Sequence, residues 1–245
     1  MVSKNQIKLI TSLQQKKYRQ KNQLFIAEGV KVIQELLQSN FVLEHLYVTE
    51  QLFSEVNASK KTVISESELK KITCLSTPNN CLALFKIPQP KTFTIDDLTV
   101  VLDDVRDPGN FGTIIRLCDW YGVKNLVCSE NTVDLYNPKV VQATMGSITR
   151  VQVFYENLEE LLPTFQLPVY GTFMDGNNVY TEQLEKKSVL VLGNEANGIS
   201  ETVKKCVTHK IAIPKFGTLQ KAESLNVATA TAIFLSEFKR TTIEK

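Results

Sequence analysis

The sequence predicts an α/β fold built on a largely parallel sheet, and three observations carry that prediction. From about Ile95 onward, short apolar runs alternate with amphipathic, capped segments. The runs are nearly continuous in apolar residues, as strands buried on both faces should be. Polar, glycine-bearing turns follow several of them, and open α/β sheets place their ligands at that carboxyl end.

The chain begins with a basic arm. Lys4, Lys8, Lys16, Lys17, Arg19 and Lys21 all precede the first acidic residue, Glu28, and are interleaved with Gln, Asn and Tyr18. Such a segment suits phosphate tracking on a nucleic acid. An amphipathic helix burying Ile7, Ile10 and Leu13 with a basic outer face explains the same pattern, and a docked helix can still present its lysines outward.

Leu24 to Ala27, Leu43 to Val48, Thr62 to Ile64 and Cys81 to Ile87 read as strands, with a helix over Val30 to Leu37. Ser65-Glu66-Ser67-Glu68 fits a capping box opening a helix through Ile72. Pro88-Gln89-Pro90-Lys91 is a stiff break and a plausible domain boundary. The expected division is residues 1–90, led by the basic arm, and residues 91–245.

In the second part the strands are expected at Leu98 to Leu102, Asn125 to Cys128, Val151 to Phe154, Val169 to Phe173, Val189 to Leu192 and Lys210 to Ile213. Helix starts are marked by Asn137 before Pro138, by Asn157 with Glu160, and by Ser200. The last helix, Val227 to Arg240, carries small residues among apolar ones and should be deeply buried or shared with a second subunit.

The turn after the strand at Leu98 to Leu102 is Asp107-Pro108-Gly109-Asn110-Phe111-Gly112, and a helix follows it as far as Gly122. Ile114, Leu117, Cys118 and Tyr121 recur at helical spacing and should face the sheet. Arg116 and Trp120 then share the opposite face. They are either a solvated pair or a contact surface for another chain or a nucleic acid.

Two more turns stand at strand ends. Gly193-Asn194-Glu195-Ala196-Asn197-Gly198 has the glycine spacing of a phosphate loop, but Ile199 stands where that loop needs lysine, so a nucleoside triphosphatase is excluded. Glu195 could be no more than a carboxylate favoured at a helix start. Ile213-Pro214 leads after a connection to Ser224-Leu225-Asn226-Val227, where Ser224 could simply cap the last helix.

Composition limits the alternatives. The 245 residues, 43% of them hydrophobic, suffice for a substantial core. Net charge of +2 is uninformative beside its placement in the arm. No apolar run reaches transmembrane length and the amino terminus is not a signal peptide, so a cytoplasmic protein away from membranes is expected. The five cysteines, Cys74, Cys81, Cys118, Cys128 and Cys206, lack paired metal spacing and read as small hydrophobes in a reducing compartment. With only His45 and His209 available, neither a histidine metal site nor a triad is expected, and no metal is needed.

Asn110-x-Gly112 with Arg116, then Gly193-x-Glu195-x-x-Gly198, then Ile213-Pro214 followed by Ser224-Leu225-Asn226-Val227 together resemble the three signature motifs of the SpoU (TrmH) class of SPOUT RNA methyltransferases. The resemblance covers residues from about 95 to 245. The first part resembles, more weakly, the small ribosomal-protein-like α/β domain that binds substrate in many members. The connection from Gly217 to Ser224 is longer than the family pattern, and Lys215 stands at a place often apolar.

The resemblance implies a trefoil-knotted parallel-sheet domain, an exception to the rule against knots. It also implies S-adenosylmethionine as cofactor, a homodimer, and methylation of a ribose 2′-hydroxyl in RNA, ribosomal RNA of the 23S type or else transfer RNA. Asn110, Arg116, Glu195, Ser224 and Asn226 then match the catalytic or site-shaping positions. Gly193, Asn194, Ile213, Leu225 and Asn226 match those that bind cofactor.

A 2′-hydroxyl is a poor nucleophile unless its proton is removed or its developing charge stabilised. A guanidinium holds its own proton too tightly to be a cheap base, so Arg116 reads as a clamp on the phosphate beside the target ribose, with general base as the rival role. Asn110 and Asn226 can orient by hydrogen bonds, and Glu195 can hold the loops. The competing classes are a non-catalytic RNA-binding or ribosome-assembly protein on the same fold, and a base methyltransferase, which would call for a carboxylate base.

Overall fold

The computed structural model describes residues 1–90, 92–95, 97–217 and 224–240. In chain order its main elements are α1 (Lys4–Ser12), α2 (Lys16–Asn22), β1 (Leu24–Glu28), α3 (Val30–Leu37), β2 (Leu43–Val48), β3 (Lys61–Val63), α4 (Glu66–Leu69) and β4 (Cys81–Lys86). There follow β5 (Leu98–Leu102), α5 (Pro108–Trp120), β6 (Asn125–Ser129), α6 (Pro138–Thr144), β7 (Gln152–Glu156) and α7 (Leu158–Leu161). The chain continues through β8 (Val169–Asn178), β9 (Ser188–Leu192), α8 (Glu201–Lys204), β10 (His209–Ala212) and α9 (Val227–Arg240). They fall into two compact units, Met1–Lys91 with Asp134–Thr149, and Thr92–Val133 with Arg150–Lys245. The break at the Pro88–Lys91 stretch is therefore accompanied by a second crossing, through which α6 joins the first unit.

The first unit is a four-stranded sheet in the order β1-β4-β2-β3, antiparallel except between β2 and β3. Ser3 opens α1 through a reciprocal cap with Gln6, and the helix places Ile10 and then Leu13 in a core with Ile26, Tyr47, Ile72 and Leu84. That burial sets the orientation of the arm. Lys4, Lys8, Lys16, Lys17 and Lys21 are left exposed.

Arg19 departs from the expectation that it faces RNA. It is 2% exposed, its Nε donates to Asp134 at 2.9 Å, and its Nη1 donates to the carbonyls of Leu13 and Gln14 at 2.8 and 2.9 Å. A buried guanidinium needs such partners, and with them satisfied it has nothing left to offer a phosphate. Farther on, the Ser65 cap with Glu68 forms as expected, but α4 is a single turn ending at Leu69. Ile72 is buried just beyond it.

The second unit is a six-stranded, wholly parallel sheet in the order β10-β8-β9-β5-β6-β7. β5 and β9, at its centre, are buried at every position. β8 runs five residues past Phe173, because its pairing with β10 shifts from Lys210 opposite Gly171 to Ile211 opposite Asn177. Gly176 permits that excursion, since a Cβ there would lie 2.5 Å from the Ile211 carbonyl carbon.

Helix α5 buries Phe111, Ile114, Ile115 and Cys118, whereas Leu117 and Tyr121 are only partly covered. The apolar stripe is rotated from the expected one because α5 packs on α9 as well as beside β6. Helix α9 buries Val227, Ala228, Thr231, Phe234, Leu235 and Phe238. Among the described residues no helix is long and apolar enough to cross a membrane.

Candidate active site

Strands β5 and β9 are neighbours in register from Leu98 opposite Ser188 to Leu102 opposite Leu192, so their following loops leave the same edge of the sheet side by side. The Asp103 backbone N–H donates to the Leu192 carbonyl at 2.9 Å and its buried carboxylate accepts from the Ser200 N–H at 2.7 Å. This carboxylate ties the first turn to the end of the second. Sequence reasoning passed over Asp103 and Asp104, although two acids at the carboxyl end of an apolar strand are a readable signal.

In the second turn, Asn194 and Gly198 exchange backbone hydrogen bonds of 3.0 and 2.9 Å, with Gly198 at a φ of +68°. The Asn194 side chain donates to the Asp104 carbonyl at 2.8 Å and accepts from the Ala196 and Asn197 N–H groups. Gly193 has no room for a side chain, because a Cβ would lie 2.2 Å from both the Gly198 carbonyl carbon and the Ile199 nitrogen. The loop is thus closed on itself by backbone, and it projects Glu195 from a fixed base.

Asp107 caps α5 by accepting from the Asn110 N–H at 2.7 Å, which fixes Asn110 in the first turn of the helix. The Asn110 Nδ2 donates to Glu195 Oε1 at 2.9 Å, and its Oδ1 accepts from Asn226 Nδ2 at 2.8 Å. Asn226 in turn caps α9, its Oδ1 accepting from the Ala228 and Thr229 N–H groups at 3.0 and 3.2 Å. All three turns singled out in the sequence therefore converge on one hydrogen-bonded chain, Asn226 to Asn110 to Glu195.

The remaining predicted residues lie around this chain with fewer constraints. Ser224 and Leu225 are exposed immediately before Asn226, and Ile213 is half-buried at the end of β10. Ser224 makes no described hydrogen bond, so the cap of α9 belongs to Asn226 instead. Arg116 is exposed on α5 and makes no hydrogen bond or ion pair among the described residues, and Trp120, one turn on, is 84% exposed.

Among the described residues no cluster of three or more His, Cys, Asp or Glu could hold a metal ion. Cys81, Cys118 and Cys128 are buried and Cys74 and Cys206 half-buried, and burial pushes the Cys118 thiol up to about 12, far from a reactive thiolate.

Residues 97–236 match the sequence profile of the SpoU rRNA methylase family, and residues 4–83 match that of the MRM3-like substrate binding domain. The 23S rRNA (guanosine(2553)-2′-O)-methyltransferase RlmP of Bacillus subtilis is 30% identical over 243 residues, covering 95% of this chain and 96% of its own. A solved TrmH-family protein from Porphyromonas gingivalis is similar with a TM-score of 0.89 and 38% identity, over 98% of this chain and 99% of that one. The S-adenosylmethionine-bound rRNA methyltransferase from Sinorhizobium meliloti gives a TM-score of 0.87 at 27% identity, over 100% and 98%.

Proposed function

Because the chain belongs to the SpoU rRNA methylase family, we propose that it transfers a methyl group from S-adenosylmethionine to a ribose 2′-hydroxyl of ribosomal RNA. The observation that carries this reading is the Asn226–Asn110–Glu195 chain, which joins the three signature turns at one sheet edge, with Arg116 exposed on the adjoining helix and without a partner among the described residues.

The residues present suit the cofactor. Leu225 offers apolar surface for an adenine, the loop at Gly193 and Asn194 presents backbone at close range, and the Glu195 carboxylate is a negative group beside a cationic ligand. Ile213 borders the same edge. Bound there, S-adenosylmethionine supplies a methyl group made electrophilic by its positively charged sulfur.

The protein's part is orientation and electrostatics. Asn110 and Asn226 hold each other's amides, so neither must be ordered when substrate arrives. Arg116 grips the phosphate next to the target ribose with its planar fork, positions the hydroxyl and favours its ionisation. Ser224, free of a capping duty, contacts the substrate. The exposed lysines Lys4, Lys8, Lys16, Lys17 and Lys21 of the first unit recruit the RNA through its phosphates. A ribosomal substrate agrees with a cytoplasmic place of action.

Two finer features belong to the same reading. The carboxy-terminal segment is threaded as a trefoil knot, and two copies share each site through the exposed face that carries Trp120. Light scattering at micromolar concentration is expected to give a dimer, and a monomer would remove the shared site. The activity is tested by incubating the protein with labelled S-adenosylmethionine and ribosomal RNA from cells lacking it, then separating nucleosides. A 2′-O-methylnucleoside is expected, and label in a base, or none at all, would refute the assignment.

A further inference from the structure

Two aromatic side chains of the second unit stand outside both the core and the hydrogen-bonded chain. Phe216 is 83% exposed and Tyr180 41% exposed, and their rings lie 6.5 Å apart between centroids with 33° between planes. Neither ring contributes to folding what a buried ring would, so their pairing in water calls for a reason.

Their placement supplies one. Tyr180 follows β8, where the Val179 N–H donates to the Ala212 carbonyl at 2.9 Å and the Asn178 side chain accepts from the Tyr180 N–H at 3.0 Å. Phe216 follows β10 in the loop that begins with Ile213 and Pro214. Both rings thus leave the carboxyl ends of parallel strands, on the edge that also carries Glu195 and Asn110. In the order β10-β8-β9-β5, β8 is next to the strand that ends in the Glu195 loop and β10 is one further away. At the usual strand spacing the axes of β9 and β10 lie about 10 Å apart, the scale of a neighbouring nucleotide.

We infer that Tyr180 and Phe216 form a stacking platform for an unstacked base of the RNA, next to the nucleotide that is methylated. This rests on the RNA methyltransferase reading above. Bases splayed from RNA are held mainly on aromatic faces, and a stacking face tolerates any base. Lys215, exposed beside Phe216, adds a cation for the accompanying phosphate. A second protein copy is the poorer occupant, because the cores of protein interfaces are depleted in lysine.

The experiment measures three properties of the full chain and of Phe216→Ala and Tyr180→Ala: affinity for ribosomal RNA from cells lacking the protein, affinity for S-adenosylmethionine by calorimetry, and mass in solution. Loss of one stacking contact should weaken RNA binding by about tenfold, with cofactor affinity and mass unchanged. Phe216→Trp should keep RNA affinity, and its added indole fluorescence, read against wild type, should fall when RNA binds. Unchanged RNA affinity in both alanine variants overturns the platform. A parallel loss of cofactor affinity would assign the rings to the cofactor pocket, and a change of mass would assign them to a subunit interface; either result also overturns it. Failure of the underlying reading is seen separately, as wild-type protein that binds RNA without methylating it.

Discussion

Asn110 donates its side-chain N–H to Glu195 at 2.9 Å across 85 positions of sequence, and through that one bond the loop after β9 is fastened to the first turn of α5. The contact is exposed, so its worth in stability is modest, about 0.5–1.5 kcal/mol. Its worth to function lies in holding two loops in one arrangement before substrate arrives.

Asn110→Asp tests that role, since it replaces the donor by a carboxylate facing another carboxylate and also deprives Asn226 of a neutral partner. The variant should melt within a few degrees of wild type and bind S-adenosylmethionine markedly more weakly in calorimetry. Wild-type affinity would mean that the loops keep their geometry without this bond.

Gly193→Val addresses the loop itself. Its Cβ would fall 2.2 Å from the backbone at Gly198 and Ile199, and no rotamer relieves a backbone clash. The loop must open, so cofactor binding should be lost while the far-UV spectrum stays native. A folded variant with unchanged cofactor affinity would remove this loop from the site.

The basic arm divides into two kinds of cation. Arg19→Ala empties a buried position and leaves the half-buried Asp134 and the Leu13 and Gln14 carbonyls without their donor, and should cost about 2 kcal/mol in chemical denaturation. Lys16→Gln with Lys17→Gln should leave stability alone, weaken RNA binding, and flatten its dependence on salt. An unchanged salt slope would reduce the arm to a helix with a solvated face.

Arg19 also shows where sequence reading ends. In the linear pattern it is one of six cations before Glu28, and nothing local distinguishes it from its neighbours. Its partner, Asp134, lies 115 positions away in the segment that rejoins the first unit. Strand β8 is a similar case, since its extension to Asn178 depends on where β10 resumes pairing, and Gly176, which makes room for that approach, carries no local mark of the partner strand. By contrast β2, α3, β5 and α9 have the limits that apolar periodicity, caps and breakers mark locally. The site was legible as three turns because each follows an apolar strand. That Asn110, Glu195 and Asn226 bond to one another needed the sheet order, whereas Asp103, which does the fastening beneath, was readable beside Asp104 as an acid at the carboxyl end of an apolar strand.

Arg116 carries the central claim, and its exposure makes the test clean. Arg116→Ala removes no described contact, so folding should change by no more than about 0.5 kcal/mol and cofactor affinity should stay as it is. Single-turnover transfer of labelled methyl to ribosomal RNA, with cofactor and RNA both saturating, should nonetheless fall by at least about a hundredfold, since the lost contact acts on the reacting group. Arg116→Lys should stay badly impaired at neutral pH, because an ammonium lacks the planar fork; recovery as pH rises would instead favour a general base. A rate for Arg116→Ala within a few fold of wild type under those saturating conditions would contradict the account.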